Sequence, residues 1–458
     1  MGRGDCATFW HRTLLERPVI FIVEDLAMRP VTYQKTREGE ISVGGVPLRD
    51  LAQEFGTPLY VMDYQTLMEN IARYRQVLEG WGTAYYAGKA FCCRAMVELV
   101  DRQGLGLDVV SGGELFTALT AGLDPGRVLF HGNVKTAAEI RAGLEVGVGH
   151  FVVDSLDELH QLDEAARAMG RTAAVLLRLT PGIEAHTHEF VRTGQFDSKF
   201  GFAIADGIAD QAVAVALRMG NIELKGFHAH IGSQILDTEP LVANAEALLT
   251  FSGQVLQRFG FWPEVLDLGG GIGVRYGESD DPPDVTDLMT RVRMALGELT
   301  PRGMRPPHII VEPGRSIVAE AGLTLYTVEA VKTVPGGREY IAVDGGMGDN
   351  IRPALYQAQY AAELDQKAGD TPERQVTVAG RYCETGDILI PSIRLPDPAR
   401  GDLLAMWGTG AYNYAMASSY NRVPRPAVVL VNDGEASLWV DRERWDDLTR
   451  RDRPLRPA

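Results

Sequence analysis

The sequence predicts a (β/α)8 barrel of the TIM type, followed by a second, all-β domain of sandwich or barrel-like form. Three observations predict it. Between residues 83 and 315, eight short β-rich runs alternate with helical stretches, such as 155–169 and 240–259, that are amphipathic. Polar residues or glycines gather at the C-terminal end of nearly every run, as they do where barrel strands converge on one mouth. After Arg315 the helical pattern stops, and short β-like runs follow one another between Gly, Pro and Asp turns. A doubly wound open sheet is the alternative for the first region, and the polar run ends disfavour it. The chain is therefore divided into 1–50, an extension whose strand at 40–46 joins the β domain; 51–315, the barrel; and 316–458, the β domain.

The barrel runs are 83–89, 106–111, 128–132, 150–155, 173–180, 222–231, 265–271 and 308–315. Their ends hold Lys89, Ser111, His131, Asp154, Arg178, His230, Gly269 to Gly271 and Glu312. A long connection after the fifth run, 181–201, carries His186, His188, Arg192 and Asp197-Ser198-Lys199 and is either a functional lid or a solvated surface loop. The two histidines find no third metal ligand at a recognisable spacing, and no metal site is predicted. The second domain is built from runs at 323–334, 339–343, 375–378, 387–390, 403–407, 427–431 and 437–440.

With 458 residues the chain has room for two substantial cores. A formal net charge of −16 argues against nucleic-acid or anionic-membrane partners. Four cysteines at 6, 92, 93 and 383 show neither a disulfide framework nor zinc spacing, which suits a reducing cytoplasm. No apolar run approaches a membrane span. The run Val19 to Val23 is too short for a signal peptide and is cut off by Glu24 and Asp25, and Met28 is an equally good start.

Candidate chemistry lies at the run ends. Lys89 closes the apolar run Tyr85-Tyr86-Ala87-Gly88, where an unpaired ammonium would be costly. It has a carboxylate partner, snorkels to solvent, or serves as an amine nucleophile, a role open to lysine but not to arginine. Leu266-Asp267-Leu268-Gly269-Gly270-Gly271-Ile272-Gly273 covers the seventh run and its turn, and the glycines are either a tight turn or a set of N–H groups turned toward an anion. Val311-Glu312-Pro313-Gly314-Arg315 offers a carboxylate and a guanidinium fork, or an internal ion pair. His228 and His230 share a face by strand alternation, one of them suited to stack on a planar ligand. Cys383, followed by the acids Glu384 and Asp387, suits a proton donor better than a nucleophile.

Taken together, in order and spacing, these motifs resemble the fold-type III pyridoxal-phosphate decarboxylases. The resemblance runs from about Gly44 to Asp433 and is densest at 86–114, 188–202, 228–234, 266–273, 312–315, 352–356, 383–387 and 410–412. It implies a barrel plus a β domain, pyridoxal 5′-phosphate as cofactor, and a homodimer with shared active sites. It implies that Lys89 carries the cofactor as a Schiff base, His230 stacks on its ring and Glu312 pairs with its ring nitrogen. Ser233, Gly270, Gly271, Gly314, Arg315 and Tyr412 would surround the phosphate. Arg315, Arg352, Tyr356, Glu384 and Tyr412 would hold the distal end of the substrate. Cys383, from the partner subunit, would return the proton. The implied reaction is decarboxylation of meso-2,6-diaminopimelate to L-lysine, because a distal carboxylate and amine need opposite charges, which Arg315, Arg352 and Glu384 provide. Ornithine, arginine and carboxynorspermidine are the alternative substrates. Lys89, Glu312 and Cys383 together argue against a non-catalytic relative, and the glycines and β domain against a cofactor-free Schiff-base aldolase.

Overall fold

A computed structural model describes residues 28–183, 199–277 and 280–455. The predicted lid residues His186, His188 and Arg192, and the segment before Met28, lie outside the described residues. All eight barrel strands form: β1 (Gly82–Ala87), β2 (Gly106–Val109), β3 (Val128–Phe130), β4 (His150–Val153), β5 (Ala173–Thr180), β6 (Ile222–His228), β7 (Val265–Asp267) and β8 (His308–Val311). They pair in chain order, all parallel. β8 returns to β1, with Val311 opposite Ala84, and the ring closes.

Side-chain alternation explains the closure. Leu129, Val152, Leu176 and Ile310 point inward and meet in one small cluster with Tyr85 and Val265. Their neighbours Phe130, Val153, Leu177 and Val311 belong to the outer core, shared with the helices. Most strands stop earlier at the mouth than the sequence runs do, because the residues there leave the ladder. Ser111 and Ser155 instead cap the next helices, each accepting a hydrogen bond from the N–H of Glu114 or Glu158.

A buried ion pair fastens two of the βα connections. Lys135 Nζ donates to Glu158 Oε1 at 2.6 Å and to the carbonyls of Gly132 and Val152. All three ammonium donors are thereby satisfied. Lys135→Met leaves the Glu158 carboxylate buried without its cation. The variant is expected to lose about 3–5 kcal/mol, read as a lowered denaturation midpoint.

The C-terminal sheet is built on the long strand Gly322–Thr333, which pairs antiparallel with Glu339–Val343, Leu403–Trp407 and Leu59–Asp63. All seven runs predicted after Arg315 form strands. The N-terminal part differs from the sequence reading. The predicted strand at 40–46 pairs within a separate three-stranded sheet and adds no strand to the sheet of the β domain, which it meets instead through the Ile41 N–H donating to Asp365 and the Gly434 N–H donating to the Gly44 carbonyl. Leu59–Asp63, placed by sequence in the barrel region, takes that position instead and also pairs parallel with Ala427–Asn432. Its five residues are all buried. Leu59 and Val61 face a core shared with Trp407 and Val429, while Tyr60 and Met62 face the barrel's outer core. A strand buried on both faces lacks the polar alternation by which a two-sided strand is read.

The sheet reaches the barrel mouth through the segment after Trp407. Gly410 passes so close that a Cβ there would lie 1.8 Å from the Val318 carbonyl oxygen. Two residues on, the Tyr412 N–H donates to the Ala90 carbonyl at 2.8 Å. Among the described residues no helix is long and apolar enough to cross a membrane.

Candidate active site

The barrel mouth and the C-terminal sheet enclose a cavity of about 370 Å3. Seven of the predicted site residues line it: Lys89, His230, Ser233, Arg315, Arg352, Tyr356 and Tyr412. Lys89 does not sit where the sequence placed it. β1 ends at Ala87, and Lys89 lies beyond it in the turn Gly88–Ala90, with its side chain exposed to the cavity. It makes no ion pair with a described residue, and the expected burial cost does not arise. The turn is held from below: Ala87 N–H donates to Pro313, and Gly314 packs against Ala87 and Ala90, where its missing Cβ leaves room.

Two guanidiniums face the same cavity. Arg315 is buried; its Nη1 donates to Tyr276 Oη at 2.9 Å and its Nη2 to Ser233 Oγ at 3.1 Å, while Nε has no partner among the described residues. Arg352 is 7% exposed and donates from Nε to Tyr360 Oη at 2.9 Å. Tyr412, Tyr356 and Tyr276 lie within 6.0 Å of its guanidinium carbon, ring centroid to carbon. Among the described residues no carboxylate lies within ion-pair distance of either arginine. The internal Glu312–Arg315 pair allowed by the sequence does not form. Two buried cations without a counter-ion are costly, and the arrangement favours an anionic ligand. Tyr276 and Tyr360 escaped the sequence reading; Tyr276, three residues past the glycine-rich turn, had only that proximity as a signal.

His230 receives a hydrogen bond on Nδ1 from the Gly270 N–H at 3.3 Å. Burial first, then the Lys89 ammonium, push its pKa well below the ordinary value, although part of the residue faces the cavity. It therefore offers a neutral aromatic ring. Gly270 and Gly271 lie behind it. A Cβ on Gly270 would fall 2.1 Å from the Glu312 carbonyl oxygen, and Gly271 has φ +109° with the Gly232 carbonyl equally close. Both positions need glycine for packing and backbone conformation, whatever the N–H groups bind.

Glu312 follows β8 and is enclosed in a buried polar cluster from four other strand ends. His131 Nε2 lies 2.8 Å from Glu312 Oε1 and 2.7 Å from Asp108 Oδ1, and His228 Nε2 lies 3.4 Å from Glu312 Oε1. Asp267 completes the cluster. Arg178 and Asp154 extend the polar ring toward β5 and β4: Arg178 lies 3.8 Å from Asp154 and packs on Phe200, and Asp154 accepts from the Gly201 N–H. The sequence placed His131, Asp154 and Arg178 at the mouth; Asp108 and Asp267 went unread because single carboxylates inside short apolar strands carry no spacing signal.

Cys383 and Glu384 stand apart. They lie in the exposed turn between Arg374–Ala379 and Ile388–Leu395, with Cys383 N–H donating to Asn421, and neither lines the cavity of its own chain.

The donor set fits pyridoxal phosphate. An exposed amine suits its aldehyde, a guanidinium with no carboxylate beside it among the described residues and a serine hydroxyl suit its phosphate, a neutral imidazole suits its ring face, and a buried carboxylate suits its ring nitrogen. A family model described as the pyridoxal-dependent decarboxylase, pyridoxal binding domain, matches residues 64–319. The chain belongs to that family, and its cofactor is pyridoxal 5′-phosphate. Its curated relatives narrow the class: it is 46% identical to the diaminopimelate decarboxylase of Bacillus subtilis, over 93% of this chain and 98% of that one. It is 42% identical to the diaminopimelate decarboxylase of Mycobacterium tuberculosis, over 90% and 94%. Among solved structures, the diaminopimelate decarboxylase of M. jannaschii in complex with L-lysine superposes with a TM-score of 0.88 at 33% identity, covering 94% of this chain and 99% of that one.

Proposed function

We propose that this chain decarboxylates meso-2,6-diaminopimelate to L-lysine and CO2, the last step of lysine biosynthesis. One observation carries the reading: an exposed amine, Lys89, shares a cavity with two buried guanidiniums, Arg315 and Arg352, that have no carboxylate of their own among the described residues. A substrate with a carboxylate at its far end supplies the missing charge. Curated relatives that are diaminopimelate decarboxylases, at 41–46% identity over most of the chain, support the same reading.

When bound, the cofactor supplies an electron sink for the pair left at Cα as CO2 departs. The chain's residues do the rest. Lys89 Nζ is the amine that would hold the cofactor as a Schiff base. His230 would lie against the ring, and Glu312 would hold the ring nitrogen protonated. Ser233, Gly270, Gly271, Gly314, Arg315 and Tyr412 take the phosphate. Arg315, Arg352, Tyr356, Tyr412 and Glu384 hold the distal amine and carboxylate. Cys383 delivers a proton to Cα. Its distance from its own cavity supports donation across a homodimer, with each partner completing the other's site. The described cysteines are free thiols, which supports a cytoplasmic setting.

Cys383→Ala is expected to slow product formation by about 10²-fold or more, the lower end of what a lost general acid costs, with cofactor content unchanged. Unaltered turnover would remove the donor role. The substrate is tested by CO2 release from meso-diaminopimelate, ornithine, arginine and carboxynorspermidine side by side. Preference for any of the last three would overturn the assignment.

A further inference from the structure

We infer that His131 and Asp267 are positioning residues for the reaction, together fixing Glu312 as a carboxylate opposite the cofactor's ring nitrogen. The inference rests on the reading of Glu312 as the partner of that nitrogen. The geometry behind it is a set of buried atoms that make sense in only one pattern of protons. His131 Nε2 faces two carboxylate oxygens at 2.7 and 2.8 Å and lines up fully with neither. A lone pair there would face two further lone pairs, so this nitrogen carries a hydrogen. With Asp108 on one side and Glu312 on the other, the imidazole is held as a cation. Burial opposes that charge, but the two carboxylates lift its pKa to about 9.

Asp267 supplies the second donor. It is fully buried, and its Oδ1 accepts from the Gly269 N–H at 2.9 Å. Its Oδ2 has no donor, although the ligand atoms of Asp267, Glu312, His131 and His228 all lie within 4.8 Å of one another. Two bare carboxylates side by side in a dry site repel, and a proton between them removes both the repulsion and the unmet acceptor. Burial and the Glu312 charge push the Asp267 pKa well above the usual range, while Glu312, against burial, is held well below it chiefly by the His131 cation beside it. Asp267 is therefore the acid and Glu312 its conjugate acceptor. The charged or titratable groups around Glu312 come from nearly every strand end: Lys89, Asp108, His131, Asp154, Arg178, His228 and Asp267. His228 is kept neutral, its pKa lowered to about 4 mainly by burial. His131 and Asp267 are the two that can donate a charged or acidic hydrogen to Glu312.

The test uses holoenzyme and four variants, His131→Asn, Asp267→Ala, Asp267→Asn and Glu312→Gln. It reads the cofactor's absorbance as a function of pH, cofactor retention on dialysis, kcat and KM. We expect His131→Asn and Asp267→Ala to move the pH at which the cofactor absorbance changes and to lower kcat about tenfold for each pKa unit moved, with KM little altered. Asp267→Asn, which still accepts from Gly269 and still donates to Glu312, should restore most of what Asp267→Ala loses. Spectra and kcat unchanged in His131→Asn and Asp267→Ala, with Glu312→Gln altered, would overturn the inference alone. Unchanged Glu312→Gln would overturn the reading of Glu312 itself. Asp267→Asn as damaging as Asp267→Ala would show that Asp267 acts as a charge and not as a donor. A stoichiometric divalent metal in the purified holoenzyme, lost from His131→Asn, would also overturn it, because the cluster would then be a metal site.

Discussion

Replacing Lys89 with alanine is expected to abolish turnover and the absorbance of covalently attached cofactor while leaving the fold intact. The side chain stands exposed in the cavity and makes no ion pair among the described residues, so its loss removes little from the native state. Substitutions at such positions change stability by about 0.5 kcal/mol or less. The turn that carries it is held through backbone contacts, with Ala90 O accepting from Tyr412 N–H, and those survive. A thermal melt within a few degrees of wild type, no covalent cofactor band and no CO2 release are the three expected readings. Persistent CO2 release would remove Lys89 from the chemistry.

The second large effect is expected at Arg352. Its guanidinium is buried among Tyr276, Tyr356, Tyr360 and Tyr412, with one of its donors spent on Tyr360. Arg352→Ala would leave a substrate carboxylate to enter this enclosed site with half of its neutralising charge gone. Losing one partner of such a desolvated pair costs about 2–5 kcal/mol, so kcat/KM should fall by on the order of 10²–10³. The loss should appear chiefly in KM, and cofactor content should stay at wild-type level. Arg352→Lys should recover little of it, because an ammonium cannot reproduce the planar fork or its stacking on the tyrosines. Discrimination against ornithine, which has no distal carboxylate, should shrink in both variants. A substrate preference unchanged by Arg352→Ala would place the specificity elsewhere.

Much of this architecture is legible in the chain. The barrel is readable because each strand is short, apolar and ended by a residue of different chemistry, and the eight ends coincide in space once the ring closes. Lys89, His230, Ser233, Arg315, Arg352, Tyr356 and Tyr412 were singled out as residues and do line one cavity. The reason first given for Lys89 was wrong, since the strand stops two residues before it and the side chain is not buried. Leu59–Asp63 was hidden by its burial on both faces. The partners of Glu312 were hidden because Asp108 and Asp267 are isolated carboxylates in apolar strands, recognisable only when β2, β3, β7 and β8 bring them against one histidine. Tyr276 and Tyr360 reveal themselves only through the arginines they surround.

The parallel pairing of Leu59–Asp63 with Ala427–Asn432 also bears on how the protein is made. Residue 59 finds its neighbour only when residue 427 has been synthesised. The segment just upstream of the barrel must wait through the whole of barrel translation for both of its sheet partners. Contacts this distant in sequence form late and slowly. The chain made after the barrel also delivers Tyr412 to the Lys89 turn and Arg352 to the cavity. A nascent chain is therefore expected to acquire a closed barrel well before it acquires an active site, and premature termination anywhere before the last strands yields a protein without one.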